Sequence, residues 1–141
     1  MLSDVDGKAN SNVLLSAENY QPNWATDTTI NGSQQTKHYP AALCCARYHV
    51  EGTEAGDWYL PAIGELGYVM VRWKIIKAAL KAVQKVDASL AVPLDESRYY
   101  WSSTEYSQNY AYYLYSDYGY VLFNTKSNDY LVRAFCRLPR I

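Results

Sequence analysis

"NYAYYLYSDYGYVLFNT", residues 109 to 125, decides the architecture, because here the side chains adopt a period of two. Tyr112 and Leu114 alternate with Tyr113 and Tyr115, and Val121 and Phe123 alternate with Tyr120, Leu122 and Asn124. Between the two runs, Ser116-Asp117-Tyr118-Gly119 supplies the residue types of a turn. The stretch predicts a hairpin with Tyr112, Leu114, Val121 and Phe123 facing inward. Tyr113, Tyr115, Tyr120 and Leu122 are then expected outward, with Asp117 and Tyr118 at the tip and Asn109 and Tyr110 leading in.

Upstream the pattern differs. Residues 1 to 38 are rich in Asn, Ser, Thr, Asp and Gly, so they are expected to be extended or looped, with Val13-Leu14-Leu15 as a short strand. Pro40 suits the first position of a helix carrying Ala41, Ala42, Leu43, Cys45 and Tyr48, stopping near Gly52. After Leu60-Pro61, the residues Leu66, Val69, Met70, Trp73, Ile76, Leu80 and Val83 recur at steps of three and four. That periodicity predicts a helical stretch over residues 63 to 85, its apolar side in the core, bent near Trp73. Lys77, Lys81 and Lys85 lie on the other side, a solvated face. Gly64 and Gly67 weaken its first turns. Leu131 to Cys136 reads as a closing strand, and Trp58, Leu60, Leu66, Trp73, Trp101 and Val132 are expected to be buried. Two helical segments followed by antiparallel strands make an α+β fold, with residues 1–141 as one domain.

Composition narrows the function. With 141 residues, 19% charged and a formal net charge of −1, the chain has no basic patch for nucleic acid. The start lacks a basic, apolar leader, and no apolar stretch approaches the roughly 20 residues of a membrane span. Direct membrane insertion is therefore not expected, and any export signal or anchor would lie on another segment. Cys44, Cys45 and Cys136 allow one disulfide at most, and buried free thiols are as good a reading.

No catalytic apparatus is visible. His38 and His49 form no His-Glu-x-x-His pattern, and there is no Gly-x-Ser-x-Gly elbow, phosphate-binding glycine loop or Cys-x-x-Cys pair. Asp95 and Glu96 are sequence neighbours, which rarely converge on one substrate atom. Neither a cofactor nor a metal is expected. What does stand out is tyrosine: ten of the fifteen lie between Tyr99 and Tyr130, and 16 of the 25 residues from 106 to 130 are Tyr, Ser, Asn or Asp. Tyrosine gives a broad amphipathic contact with few rotatable bonds, and the small polar residues add adaptable hydrogen bonds. Strand propensity explains tyrosine on one face of a hairpin, not on both faces and at the turn.

"GDWYLPAIGEL" (Gly56 to Leu66), "YYWSSTEYS" (Tyr99 to Ser107) and "LVRAFCR" (Leu131 to Arg137), in that order, resemble a large bacterial family with the C-type lectin-like fold. "VDGKANS" (Val5 to Ser11) and the Ala41-Ala42-x-x-Cys45 segment agree with it. The family includes the variable proteins of diversity-generating retroelements, in which adenine-directed rewriting of template codons leaves Tyr, Ser, Asn and Asp in the ligand-binding stretch. The resemblance implies that Trp101, Ser102, Ser103, Thr104 and Glu105 are fixed scaffold. It places the binding site on Asn109, Tyr110, Tyr113, Tyr115, Asp117, Tyr118, Tyr120, Leu122, Asn124, Asn128, Asp129 and Tyr130. The implied partner is a protein or other macromolecule, and the implied setting a bacterial surface or phage particle. In this fold the first helix packs beside the last strand, so Cys45 and Cys136 are expected to be neighbours, and a bridge often joins them.

The closing motif departs from relatives in reading Arg133-Ala134 where Arg-Pro is frequent. Calcium-dependent sugar binding, the familiar lectin activity, uses a Glu-Pro-Asn or Gln-Pro-Asp loop and a Trp-Asn-Asp strand after the helices. Here Gln21-Pro22-Asn23 precedes them and Trp-Asn-Asp is missing. Formylglycine-generating enzymes share the fold, but their paired C-terminal cysteines are replaced by a single Cys136. A static carbohydrate-binding module, using exposed aromatic rings, is the alternative to a diversified protein-binding domain.

Overall fold

The computed structural model describes residues 2–16, 39–107 and 109–137. The polar N-terminal stretch is helical, not extended: α1 spans Gly7–Leu14 and takes in Val13 and Leu14, which were expected in a strand. Asp6 caps it, its carboxylate accepting from the Ala9 amide at 3.0 Å. The inward positions are Gly7, Asn10, Ser11 and Leu14, a helical stripe in which two of four residues are polar. Hydrophobic periodicity alone misses such a helix. The buried polar groups are satisfied by design of the neighbourhood. Asn10 Nδ2 donates to the Ser3 carbonyl (2.6 Å) and to Ser103 Oγ (3.1 Å), and Ser11 Oγ accepts from the Leu60 amide (3.1 Å). Gln21-Pro22-Asn23 and His38 lie outside the described residues.

α2, Pro40–Arg47, has its proline at the first turn and buries Ala42 and Cys45. It stops short of Gly52, because Tyr48 already has extended backbone. β1 (Trp58–Tyr59) follows, then α3 (Ile63–Val71) and α4 (Trp73–Val86), separated at Arg72 where the bend was predicted. Glu65 closes the start of α3 by accepting from the Ala62 amide at 2.9 Å, half of a capping box. Its carboxylate also accepts from the Gly7 amide (3.1 Å), Tyr59 Oη (3.1 Å) and Arg137 (3.4 Å). One side chain thereby ties α1, β1, α3 and the C-terminal segment together.

α4 departs from expectation. None of its residues is buried: Trp73, Ile76 and Leu80 are half-buried and Val83 is exposed, so the helix lies on the surface, not in the core. Lys77 is half-buried and paired with Glu96, while Lys81 and Lys85 are solvated as predicted. No helix among the described residues is long and apolar enough to cross a membrane.

The strands form two antiparallel sheets. β1 pairs with β5 (Phe135–Cys136), with Trp58 opposite Cys136 and Tyr59 opposite Phe135. β2 (Tyr99–Glu105), β3 (Tyr110–Tyr115) and β4 (Tyr120–Thr125) form a three-stranded meander in that order. Of the expected closing strand, Leu131 makes only a parallel bridge to Tyr100, and regular pairing is confined to Phe135–Cys136. One core cluster joins Leu14, Ala42, Cys45, Leu60, Trp101, Ala111 and Tyr113, and a second joins Leu66, Tyr100 and Leu114 beneath α3. Leu60, Leu66 and Trp101 are buried as predicted, whereas Trp58, Trp73 and Val132 are half-buried. Trp58 sits against Tyr48 in an edge contact at 4.9 Å, its indole N–H donating to Thr53 Oγ1 at 3.0 Å. Cys44, Cys45 and Cys136 are free thiols. α2 packs on β1, which pairs with β5, so the elements that carry Cys45 and Cys136 both adjoin β1, and no bridge joins the two thiols.

Candidate ligand-binding face

The hairpin stands on β2, and β2 is fixed by its hydroxyls. Ser102 Oγ donates to the Tyr112 carbonyl (2.7 Å), Thr104 Oγ1 accepts from the Ile63 amide (3.0 Å) and donates to the Ser3 carbonyl (3.1 Å), and the Ser103 amide donates to the Pro61 carbonyl (2.8 Å). Each such buried bond contributes about 0.5–1.5 kcal/mol, and each would cost more if left half-made. These are the residues the resemblance assigns to the scaffold, and Trp101, Ser102, Ser103 and Thr104 are all buried.

From this base β3 and β4 run out without a register shift, from Tyr110 opposite Thr125 to Tyr115 opposite Tyr120. The four residues 116–119 turn the chain, Gly119 taking φ +69° and donating its amide to the Tyr115 carbonyl at 2.9 Å. The turn lies where the sequence places it. The facing of the strands does not follow the expectation. Tyr113, predicted outward, is buried (7% exposed) among Trp101, Tyr99 and Tyr130. Val121 and Phe123, predicted inward, are 48% and 47% exposed. Both faces of β3 are covered, one by the α1/α2 cluster and one by α3, so alternation there cannot separate core from solvent. β4 lies beyond both covers, and its residues Tyr120, Val121, Leu122 and Phe123 are all exposed.

The structure therefore sorts the expected site into three groups. Asp117, Tyr118, Tyr120 and Leu122 are exposed on the tip and on β4, with Tyr115 half-buried beside them. Tyr118 stacks on Tyr120 at 5.5 Å, and Tyr115 Oη donates to Asp117 at 3.4 Å. Partial desolvation, then Asp117, raises the Tyr115 hydroxyl above its ordinary pKa. A second group joins Asn124, near the end of β4, to Asn128, Asp129 and Tyr130 on the segment that crosses back toward β2. Asn124 Nδ2 donates to Tyr130 Oη (2.8 Å), the Asn128 carbonyl accepts from the Trp101 indole (3.1 Å), and Tyr130 packs on Trp101 at 4.7 Å. Asn128, Asp129 and Tyr130 line a cavity of about 290 Å³ with Tyr39, Glu105 and Lys126, where Glu105 and Lys126 form an ion pair. Burial, then Glu105, pushes the Tyr39 hydroxyl up to about 12. The third group is Asn109 and Tyr110 at the start of β3, half-buried and exposed respectively.

Two contributors were missed. Tyr106 lies parallel on Phe123 at 3.9 Å and 5°, with Tyr112 and Tyr110 edge-on to the pair, and this makes a second aromatic shelf on the opposite face of the hairpin. Tyr99 bridges Tyr113, Tyr115 and Tyr130. Tyr106 follows the buried motif directly, and the end of that motif was the available signal. From 109 to 125 the only formal charge is Asp117.

Among the described residues no three His, Cys, Asp or Glu side chains are grouped to hold a metal ion, and Glu65, Glu96 and Glu105 are each engaged by protein cations. A family model described as the Lcl C-terminal domain matches residues 15–135, while no curated protein and no solved structure gives a significant match. Hydroxyl-pinned β2, the meander and the paired terminal strands, together with that match over most of the chain, show that it belongs to the Lcl C-terminal domain family, with a C-type lectin-like, α+β fold.

Proposed function

We propose that this is a non-enzymatic binding domain whose β3–β4 hairpin recognises a macromolecular ligand, and that it is a variable protein of a diversity-generating retroelement. The observation that carries the reading is the hairpin itself: a charge-poor, tyrosine-rich surface with exposed rings on both faces, seated on a mostly buried strand whose hydroxyls are hydrogen-bonded. Rigid aromatic anchors on a fixed base are what an interface needs, and substitutions at exposed positions leave such a base intact. The Tyr, Ser, Asn and Asp bias of residues 106 to 130 is the residue mixture that adenine-directed rewriting leaves, and the family is associated with such proteins. Supporting a non-enzymatic role, two carboxylates near the hairpin are engaged structurally: Glu105 holds Lys126 and Asp117 meets Tyr115. A sugar-stacking role is less well served, because Tyr106 and Phe123 cover one face of each other's ring.

The coding locus tests the class. An adjacent reverse transcriptase and a near-copy of codons 106 to 130 differing at adenines are expected, and a locus with neither refutes a diversified protein. Display of a library varied at Tyr118, Tyr120, Leu122 and Phe123 tests the surface: selection against a panel of folded proteins should yield binders that melt like the parent. Binders that arise only with lowered melting temperatures would refute the separation of surface from scaffold.

A further inference from the structure

The two edges of the meander are treated differently. Along β2, Leu131 closes the edge, its carbonyl accepting from the Trp101 amide and its amide donating to the Tyr99 carbonyl, both at 2.9 Å. Along β4, between Tyr120 and Phe123, β3 is the only described strand that pairs. Every second amide and carbonyl there points away from the sheet. Natural edges of this kind are blunted by a charge, a proline, a bulge or short length. β4 has six residues, no charge, no proline and no register shift, so none of those devices is present.

We infer that this edge receives an extended segment of the protein ligand as an added strand, the segment carrying apolar side chains at alternate positions and a lysine or arginine near the hairpin tip. This rests on the binding reading above and specifies how the ligand is held. Main-chain bonds to β4 supply the attachment, and side chains alternate onto two shelves. One shelf is the Tyr106–Phe123 stack with Tyr110 and Tyr112, and the other is Tyr115, Tyr118, Tyr120 and Leu122. Charge selects this occupant over a second copy of the chain. Residues 109–125 contain Asp117 and no lysine or arginine, and Lys126 just beyond β4 is already held by Glu105, so a second β4 brings no available cation to Asp117, and exposed tyrosine rings likewise favour a cation.

The test uses a synthetic peptide of about seven residues, alternating valine and threonine with lysine at both ends. Its counterparts carry glutamate at the ends, or N-methyl groups at alternate amides. Binding to the whole chain is titrated by fluorescence anisotropy, and amide hydrogen exchange of residues 120–123 is read by NMR. The lysine peptide is expected to bind saturably and to protect β4 amides, with the glutamate and N-methyl forms roughly tenfold weaker or worse. Asp117→Asn should shrink the lysine preference with the melting temperature unchanged. Equal binding of all three peptides, or no binding of the lysine form, overturns the edge assignment. So does protection of β4 that rises with protein concentration alone, which assigns the edge to a second copy. A ligand from display that depends on the tyrosines and ignores N-methylation would leave the binding reading standing while removing this one.

Discussion

Replacing Gly7 by alanine is expected to destabilise the domain even though the residue is helical and alanine is the better helix former. A Cβ at position 7 would lie 2.5 Å from the Ala62 nitrogen, 2.5 Å from the Leu60 carbonyl oxygen and 2.6 Å from Glu65 Oε2. Two of these are backbone atoms that cannot rotate away. Reaching an ordinary contact of 3.4 Å from 2.5 Å requires a shift of about 0.9 Å between α1 and the β1–α3 connection. Such a shift breaks the Gly7 amide bond to Glu65 (3.1 Å) and strains the Ser11–Leu60 pair. Overpacking costs ~1–3 kcal/mol and a lost hydrogen bond about 0.5–1.5 kcal/mol, so the expected loss is roughly 2–4 kcal/mol. Gly67 is the control: it sits inside α3 with nothing within 4 Å of its added Cβ, and Gly67→Ala should gain about 0.5–1 kcal/mol. Urea unfolding of both variants at unchanged slope measures the two effects, which should be opposite in sign. Gly7→Ala as stable as the parent would refute the close approach of α1 to β1 and with it the N-terminal packing described above.

Tyr113→Ala should cost ~3–5 kcal/mol, because the ring is buried, whereas Tyr120→Ala should stay within about 0.5 kcal/mol and lose ligand affinity instead; thermal melts and binding titrations on the same two proteins separate the roles, and equal melting temperatures would return Tyr113 to the surface. Ligand binding should survive EDTA, since Glu65, Glu96 and Glu105 are engaged by protein cations; loss that calcium restores would reverse this. Stability should fall with alkaline pH. Burial, then Cys44, pushes the Cys45 thiol from 9.0 up to about 12, and Tyr39 moves from 10.0 to about 12. Above about pH 9 the unfolded chain therefore holds fewer protons than the folded one. The contribution is complete below that pH and is lost progressively toward 12; a melting temperature flat from pH 9 to 11 would contradict it, and Cys45→Ala should lessen the slope.

Much of the fold was legible because strong local signals agreed. Pro40 began α2, the break at Arg72 divided α3 from α4, and Ser116 to Gly119 turned the hairpin. The failures share a cause. α1 buries Asn10 and Ser11 through hydrogen bonds to Ser3, Ser103 and Leu60, and polarity-based reading treats such residues as loop. Alternation misplaced Tyr113, Val121 and Phe123 because it assumes one wet face per strand. β3 has no fully wet face and β4 has two, a difference set by what packs above and below the sheet. α4 has a regular apolar stripe, yet nothing in the sequence says how little of the molecule lies against it.

β4 also bears on how the domain responds to several changes at once. Between Tyr120 and Phe123 no side chain joins either core cluster, so substitutions there share few partners with the scaffold. Their effects on folding should be nearly additive with those of changes in the scaffold. The scaffold's reserve of stability then sets a single tolerance for the whole strand, and that reserve is independent of which residues occupy it. A scaffold-stabilising change such as Gly67→Ala, made far from the hairpin, would widen the set of β4 sequences that fold, without favouring any one ligand.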